Sequence, residues 1–184
     1  MENAQLGHYD TLNKMPAANK NHEIVIYACG ITPENLGLIL RSADIFSANG
    51  IIYQGDPLAQ NQNKLHKISR GSTTPVRFVE DSTLLSQLKE NGCRIVALEI
   101  TQNSTPLRKA TWDASQTILV VGNEKTGVPQ DILNMCDATY HIEMTGKNIS
   151  SMNAAIATSI ALSKFTDYQL ERDERTTPDH SPSL

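Results

Sequence analysis

Three polar, glycine-containing segments hold the side chains best suited to binding or catalysis: residues 32–41 (TPENLGLILR), 122–127 (GNEKTG) and 145–153 (TGKNISSMN). In the first, Asn35 falls in an opening helical turn, and Arg41 comes one turn after Gly37. Leu36, Leu38, Ile39, Leu40, Ala43 and Ile45 flank Arg41 in sequence. A guanidinium is never discharged, so in apolar company it needs anionic or carbonyl partners. The alternative is an exposed Arg41–Asp44 pair at i,i+3, worth about 0.2–0.5 kcal/mol. In the second segment two glycines bracket four residues, as at the start of a phosphate-binding loop. Val128 and Pro129 follow, where that motif needs Lys and Ser/Thr, and GxGxxG is absent. ATP hydrolysis and conventional dinucleotide chemistry are therefore disfavoured. Glu124 reads either as a cleft carboxylate or as an exposed turn acid. In the third segment Ser150 or Ser151 is a helix N-cap or a site residue, and Asn153 follows in the first turn. The next helix is lined by Ala154, Ala155, Ala157 and Ala161, small side chains that let another group approach the backbone.

Around these loops short apolar runs alternate with helical segments. Strands are expected at 23–29, 50–54, 76–79, 94–100, 117–121 and 140–144. Helices are expected from Pro33 to about residue 47 and at 64–69, 83–90, 129–135 and 152–164, with Ser82 capping the third and Gly92 closing it. Buried, nearly continuous apolar strands between helices predict an α/β fold with a mainly parallel sheet flanked by helices. Ligands of such sheets sit at the carboxyl ends of the strands, where all three polar segments fall. The expected organisation is an N-terminal extension over 1–22, one domain over 23–165 and a polar tail over 166–184, with disorder beyond about residue 172.

Composition narrows the class. The 184 residues are 39% hydrophobic and 20% charged, and no run approaches the roughly 18 apolar residues of a membrane span. No basic, then apolar, leader opens the chain, so a cytoplasmic location is expected. Cys29, Cys93 and Cys136 are far apart and lack metal-ligand or redox spacing, which makes them buried hydrophobes of a reducing compartment. The net charge of −4 comes largely from residues 166–184, with five acids and two bases. Lys64, Lys67, Arg70 and Arg77 stand with no acid between them. They read as a solvated face or as a phosphate-contacting patch.

The three segments, in this order and spacing, resemble the three motifs of the SpoU/TrmH family of RNA ribose methyltransferases that use S-adenosyl-L-methionine. Asn35, Gly37, Arg41 and Ala43 match the first motif, N-x-G-x-x-x-R-x-A. Gly122, Glu124 and Gly127, after the strand 118–121, match the second, G-x-E-x-x-G. Ile142, Met144, Gly146, Ser151, Met152, Asn153 and Ala157 match the third, I-P-M-x-G-x-x-x-S-L/M-N-x-x-x-A. Ser-Arg-Gly-Ser at 69–72 is similar to a further family segment. Glu143 stands where the family usually has proline, and no separate RNA-binding domain of the kind many members carry is expected within these 184 residues.

The resemblance implies a C-terminal deep trefoil knot, a homodimer with active sites at the interface, and methyl transfer to a ribose 2′-hydroxyl of RNA, tRNA more than rRNA. It implies that Leu98, Gly122, Ile142, Met144, Ser151 and Met152 enclose the methyl donor. Arg41 would stand at the target ribose and phosphate, with Glu124 and Asn35 orienting it and the loops. Asn153 and Ser151 would fix the third motif and the ribose. Lys64, Lys67 and Arg70 would contact RNA, and no metal would be required. Two rivals are a base methyltransferase of the wider knotted superfamily and a non-catalytic module that binds RNA or a nucleotide.

Overall fold

The chain's computed structural model describes residues 22–56, 62–148 and 151–176. EIVIYAC and QTILVV bury side chains on both faces, so they pair side by side at the centre of a sheet. Strands β1 (Glu23–Cys29), β2 (Gly50–Gln54), β3 (Val76–Val79), β4 (Arg94–Leu98), β5 (Thr105–Pro106), β6 (Gln116–Val121) and β7 (Ala138–His141) form one sheet, ordered β3-β2-β1-β6-β4-β7-β5. Every pairing in it is parallel. The expected fold class, a parallel sheet flanked by helices, is therefore the one observed.

Helices α1 (Pro33–Ile45), α2 (Gln62–Ser69), α3 (Thr83–Glu90), α4 (Gln130–Met135) and α5 (Ala154–Thr176) cover the two faces. One face carries Ile24, Ile26, Leu119 and Val121 under Leu36, Ile39, Leu40 and Ala43 of α1 and Ala161, Leu162 and Phe165 of α5. The other carries Tyr27, Ile95, Ile118 and Val120 with Leu85 of α3 and Ile132 of α4. Each fully buried Leu or Ile contributes about 1.5–3 kcal/mol. Trp112, on the chain leading into β6, packs edge-on against Phe165 with ring centroids 5.6 Å apart.

Several boundaries differ from the sequence reading. β5 escaped it because two residues, one of them proline, carry no periodicity. The strand expected at 140–144 lies at Ala138–His141, and the one expected at 94–100 ends at Leu98. The apolar Ile142 and Met144 leave the sheet rather than extend it. Ser82 makes no capping bond; the side chain of Asp81 accepts the Thr83 N–H at 2.9 Å instead. α5 runs twelve residues past its expected end at 164, and past the disorder expected from about 172. Its charges lie on a solvent face, paired as Lys164–Asp167 and Glu171–Arg175, while Phe165 and Gln169 stay buried. Gln169 Nε2 donates to the His22 carbonyl at 2.8 Å, and His22 Nδ1 lies 2.9 Å from the Ala114 carbonyl. Residues 1–21 of the expected extension and 177–184 of the tail lie outside the described residues.

Candidate functional site

The carboxyl ends of β4, β6 and β7 open onto a cavity of about 520 Å³, within the usual size of small-molecule sites. Leu98, Gly122, Ile142, Met144, Ser151 and Met152 all line it, as do Ala154 and Ala157 of α5. The alanines thus put backbone rather than bulk against the open space. Gly122 is required by close approach: a Cβ there would fall 2.2 Å from the Gly127 carbonyl carbon and 2.3 Å from the Val128 nitrogen. The loop between them closes on itself, with the Gly127 N–H donating to the Asn123 carbonyl at 2.7 Å.

One side chain from each polar segment meets at the cavity's rim. Asn35 Nδ2 donates to Glu124 Oε1, and Asn153 Nδ2 donates to Asn35 Oδ1 at 2.9 Å. Glu124 Oε1 also takes long bonds from Asn153 Nδ2 at 3.5 Å and the Ala154 N–H at 3.4 Å. Glu124 is exposed, yet it is knitted into the other two loops, with its negative charge at the N-terminus of α5. Asn153 also caps α5, since its Oδ1 accepts the Ala155 and Ile156 N–H groups at 3.0 and 3.2 Å. Ser151 is therefore not the cap; it is exposed and faces the cavity. Ser150 lies outside the described residues.

Arg41 stands apart. It is exposed, it does not line the cavity, and it makes no hydrogen bond or ion pair among the described residues. The contacts to Glu124 and Asn35 are not made within one chain. Arg41 lies six helical positions beyond Asn35, about 9 Å along the axis and on another face. The Arg41–Asp44 pair does not form either, and Asp44 accepts the Thr73 hydroxyl at 3.4 Å. Leu38 and Ile45, which flank Arg41 in sequence, are themselves 42% and 64% exposed.

Lys67 and Arg70 are exposed on α2 and just after it; the side chain of Lys64 lies outside the described residues. Gly37 sets their distance from the first motif: a Cβ there would fall 2.8 Å from the Ile68 side chain, so its absence lets α2 lie against α1. The Ser72 hydroxyl fastens the 69–72 segment to α1 by donating to the Leu40 carbonyl at 3.1 Å.

Sequence reasoning missed several lining residues, among them Glu99, Lys125 and His141. Glu99 accepts the Ile100 N–H and the Val128 N–H, each at 2.9 Å, tying the end of β4 to the glycine loop. Its signal was an acid ending an apolar strand. Beside the cavity, Glu143 meets Arg108, with Nε to Oε2 at 2.5 Å and Nη2 to Oε1 at 3.3 Å. The guanidinium holds the Glu143 carboxyl below its ordinary range. Burial pushes the Cys29 thiol up to about 12 and the Cys136 thiol up to about 11. Among the described residues no group of three or more His, Cys, Asp or Glu is placed to hold a metal, and no helix is long and apolar enough to cross a membrane.

The sequence profile of the SpoU rRNA methylase family matches residues 8–163. The chain belongs to this family. Among SpoU relatives, it is 32% identical over 133 residues to an uncharacterised tRNA/rRNA methyltransferase of Mycoplasma genitalium, covering 71% of this chain and 54% of that one. The chain spans about half the length of the curated relatives it matches. Its fold is similar to the AdoMet-bound rRNA methyltransferase of Sinorhizobium meliloti, at TM-score 0.71 and 27% identity over 79% of this chain and 56% of that one. It is also similar to the A. aeolicus TrmH/SpoU tRNA modifying enzyme, at TM-score 0.74 and 25% identity over 89% and 83%.

Proposed function

We propose that this chain transfers a methyl group from S-adenosyl-L-methionine to a ribose 2′-hydroxyl of a structured RNA, tRNA in preference to rRNA. The observation that carries the reading is the bond network of Asn35, Glu124 and Asn153, which ties the first motif to the second and third, the two that line the cavity. Family membership and the donor named with the S. meliloti relative support it.

The cavity suits the donor. Leu98, Ile142, Met144 and Met152 offer apolar walls, while the Gly122 loop offers bare backbone. When bound, S-adenosyl-L-methionine supplies an electrophilic sulfonium methyl. Gly122, Ser151 and the apolar walls hold it and exclude water, and orientation of the hydroxyl supplies most of the rate gain. Arg41 clamps the RNA phosphate and stabilises the oxyanion as the hydroxyl loses its proton to solvent or phosphate. Asn35, Glu124 and Asn153 act by fixing the loops, and no metal takes part.

Two copies complete the site in this reading. Leu38, Ile45 and Ile156 are exposed apolar side chains on α1 and α5, and Arg41 lies on α1 between Leu38 and Ile45. A homodimer packed through them would carry Arg41 toward the partner's cavity. The knot belongs to the proposal as well, with the segment after β7 threaded through a preceding loop. Three free cysteines fit a reducing cytoplasm.

The test is mass spectrometry of RNA nucleosides from cells with and without the gene. One missing 2′-O-methyl nucleotide, restored by the wild-type chain, is the expected result. A missing base-methylated nucleotide, or no change, would refute the ribose assignment.

A further inference from the structure

We propose that the Arg108–Glu143 ion pair is a strap that sets where the segment after β7 turns into the cavity. Arg108 and Glu143 are then positioning residues for the methyl donor, an inference that rests on the donor-binding reading above.

β5 and β7 pair at only two positions, Thr105 with Tyr140 and Pro106 with His141. Carrying that register two residues further places Arg108 opposite Glu143, where their side chains meet in a two-bond fork at 2.5 and 3.3 Å. The side-chain pair thus prolongs the strand pairing after the backbone ladder has ended.

The two ends of the strap differ. Arg108 sits on a fixed base: Leu107 is buried, and the Ala110 N–H closes the turn onto the Leu107 carbonyl at 3.0 Å. Glu143 sits on chain with no such support. Between His141 and Ala154 the described residues form neither strand nor helix. Both chain neighbours of Glu143, Ile142 and Met144, line the cavity. Fixing the carboxylate therefore fixes the two walls beside it, and a guanidinium fork specifies direction as well as distance. Lys109 adds favourable charge around Glu143. Proline, usual at this position in the family, would restrict the same backbone through its ring.

Both side chains are largely solvated, at 61% and 44% exposure, so the effect is modest. Calorimetric titration with S-adenosyl-L-methionine should show Arg108→Gln and Glu143→Gln each weakening binding about 2- to 5-fold. The double variant should bind no worse than the weaker single one. Wild-type affinity should fall with ionic strength, whereas Glu143→Pro should bind as wild type does and lose that salt dependence. In turnover assays the donor KM should move more than kcat. Amide hydrogen exchange of the ligand-free proteins should quicken over residues 142–148 in the two Gln variants and not in Glu143→Pro. The strap alone is refuted if wild type binds donor while both Gln variants match it in affinity, salt dependence and exchange. It is refuted equally if Glu143→Pro binds as weakly as Glu143→Gln. A wild-type chain that takes up no donor overturns the strap and the donor-binding reading together.

Discussion

Asn153 Nδ2 donates to Asn35 Oδ1 at 2.9 Å across 118 residues of sequence. This bond joins the start of α5 to the first turn of α1, and the Asn153 oxygen is meanwhile occupied as the α5 cap. A single side chain therefore serves folding and site assembly at once. Replacing Asn153 by Ala should cost about 1–2 kcal/mol in urea unfolding, from the lost cap and bridge. Asn153→Ser should recover most of that stability, since serine caps well, but should not recover turnover. Equal turnover in the serine variant and wild type would separate the bridge from function.

Arg41 makes the opposite prediction. With no partner among the described residues, Arg41→Ala should leave stability within about 0.5 kcal/mol and leave calorimetric donor affinity intact, while methyl transfer nearly vanishes. Arg41→Lys should restore little, because an ammonium lacks the planar fork. Wild-type turnover by Arg41→Ala would remove Arg41 from the mechanism.

Reversing the charge of Lys67 or Arg70 should weaken RNA binding across sequences, and so should reversal of Lys64. Each lost phosphate contact should flatten the plot of log affinity against log salt by about 0.7–0.9. Filter binding across a salt series reads the slope directly. An unchanged slope would return these residues to an ordinary solvated surface.

Cys29 and Cys136 should resist alkylation in the folded protein. Their thiols, raised to about 12 and about 11, are protonated at neutral pH, and Cys93 shifts in the same direction. Burial also raises the Tyr27 phenol. The folded state therefore holds protons that the unfolded chain releases near pH 9 and above. Stability from these thiols is complete below about pH 8 and declines as pH climbs toward 11–12, by about 1.4 kcal/mol per pH unit for each group still protonated only when folded. Thermal melts from pH 7 to 11 should show the midpoint falling on the alkaline side, and replacing Cys29 by Ala should blunt that slope.

The strands that bury both faces, such as EIVIYAC and QTILVV, were legible because continuous apolar runs have few other uses. The cavity residues were legible only through motif spacing, since nothing in the periodicity of Leu98, Ile142 or Met144 distinguishes a wall from a core. β5 and the length of α5 were not legible. A two-residue strand has no pattern, and the charges of 166–176 resemble a solvated tail until the buried Gln169 reveals a helix with one face docked. The double role of Asn153 lay between these cases. Its residue type announced a cap, but its partner, Asn35, could be known only from the folded chain.

The bond between Gln169 and the His22 carbonyl brings the first and last stretches of the fold together at the amino ends of the parallel strands, while the cavity opens at their carboxyl ends. A fluorescent protein, an affinity handle or an entire foreign RNA-binding module spliced on ahead of β1 would therefore emerge at the pole remote from the cavity. The fold is in this sense a cartridge: the chain enters it at His22 and its mouth opens at the opposite end of the strands.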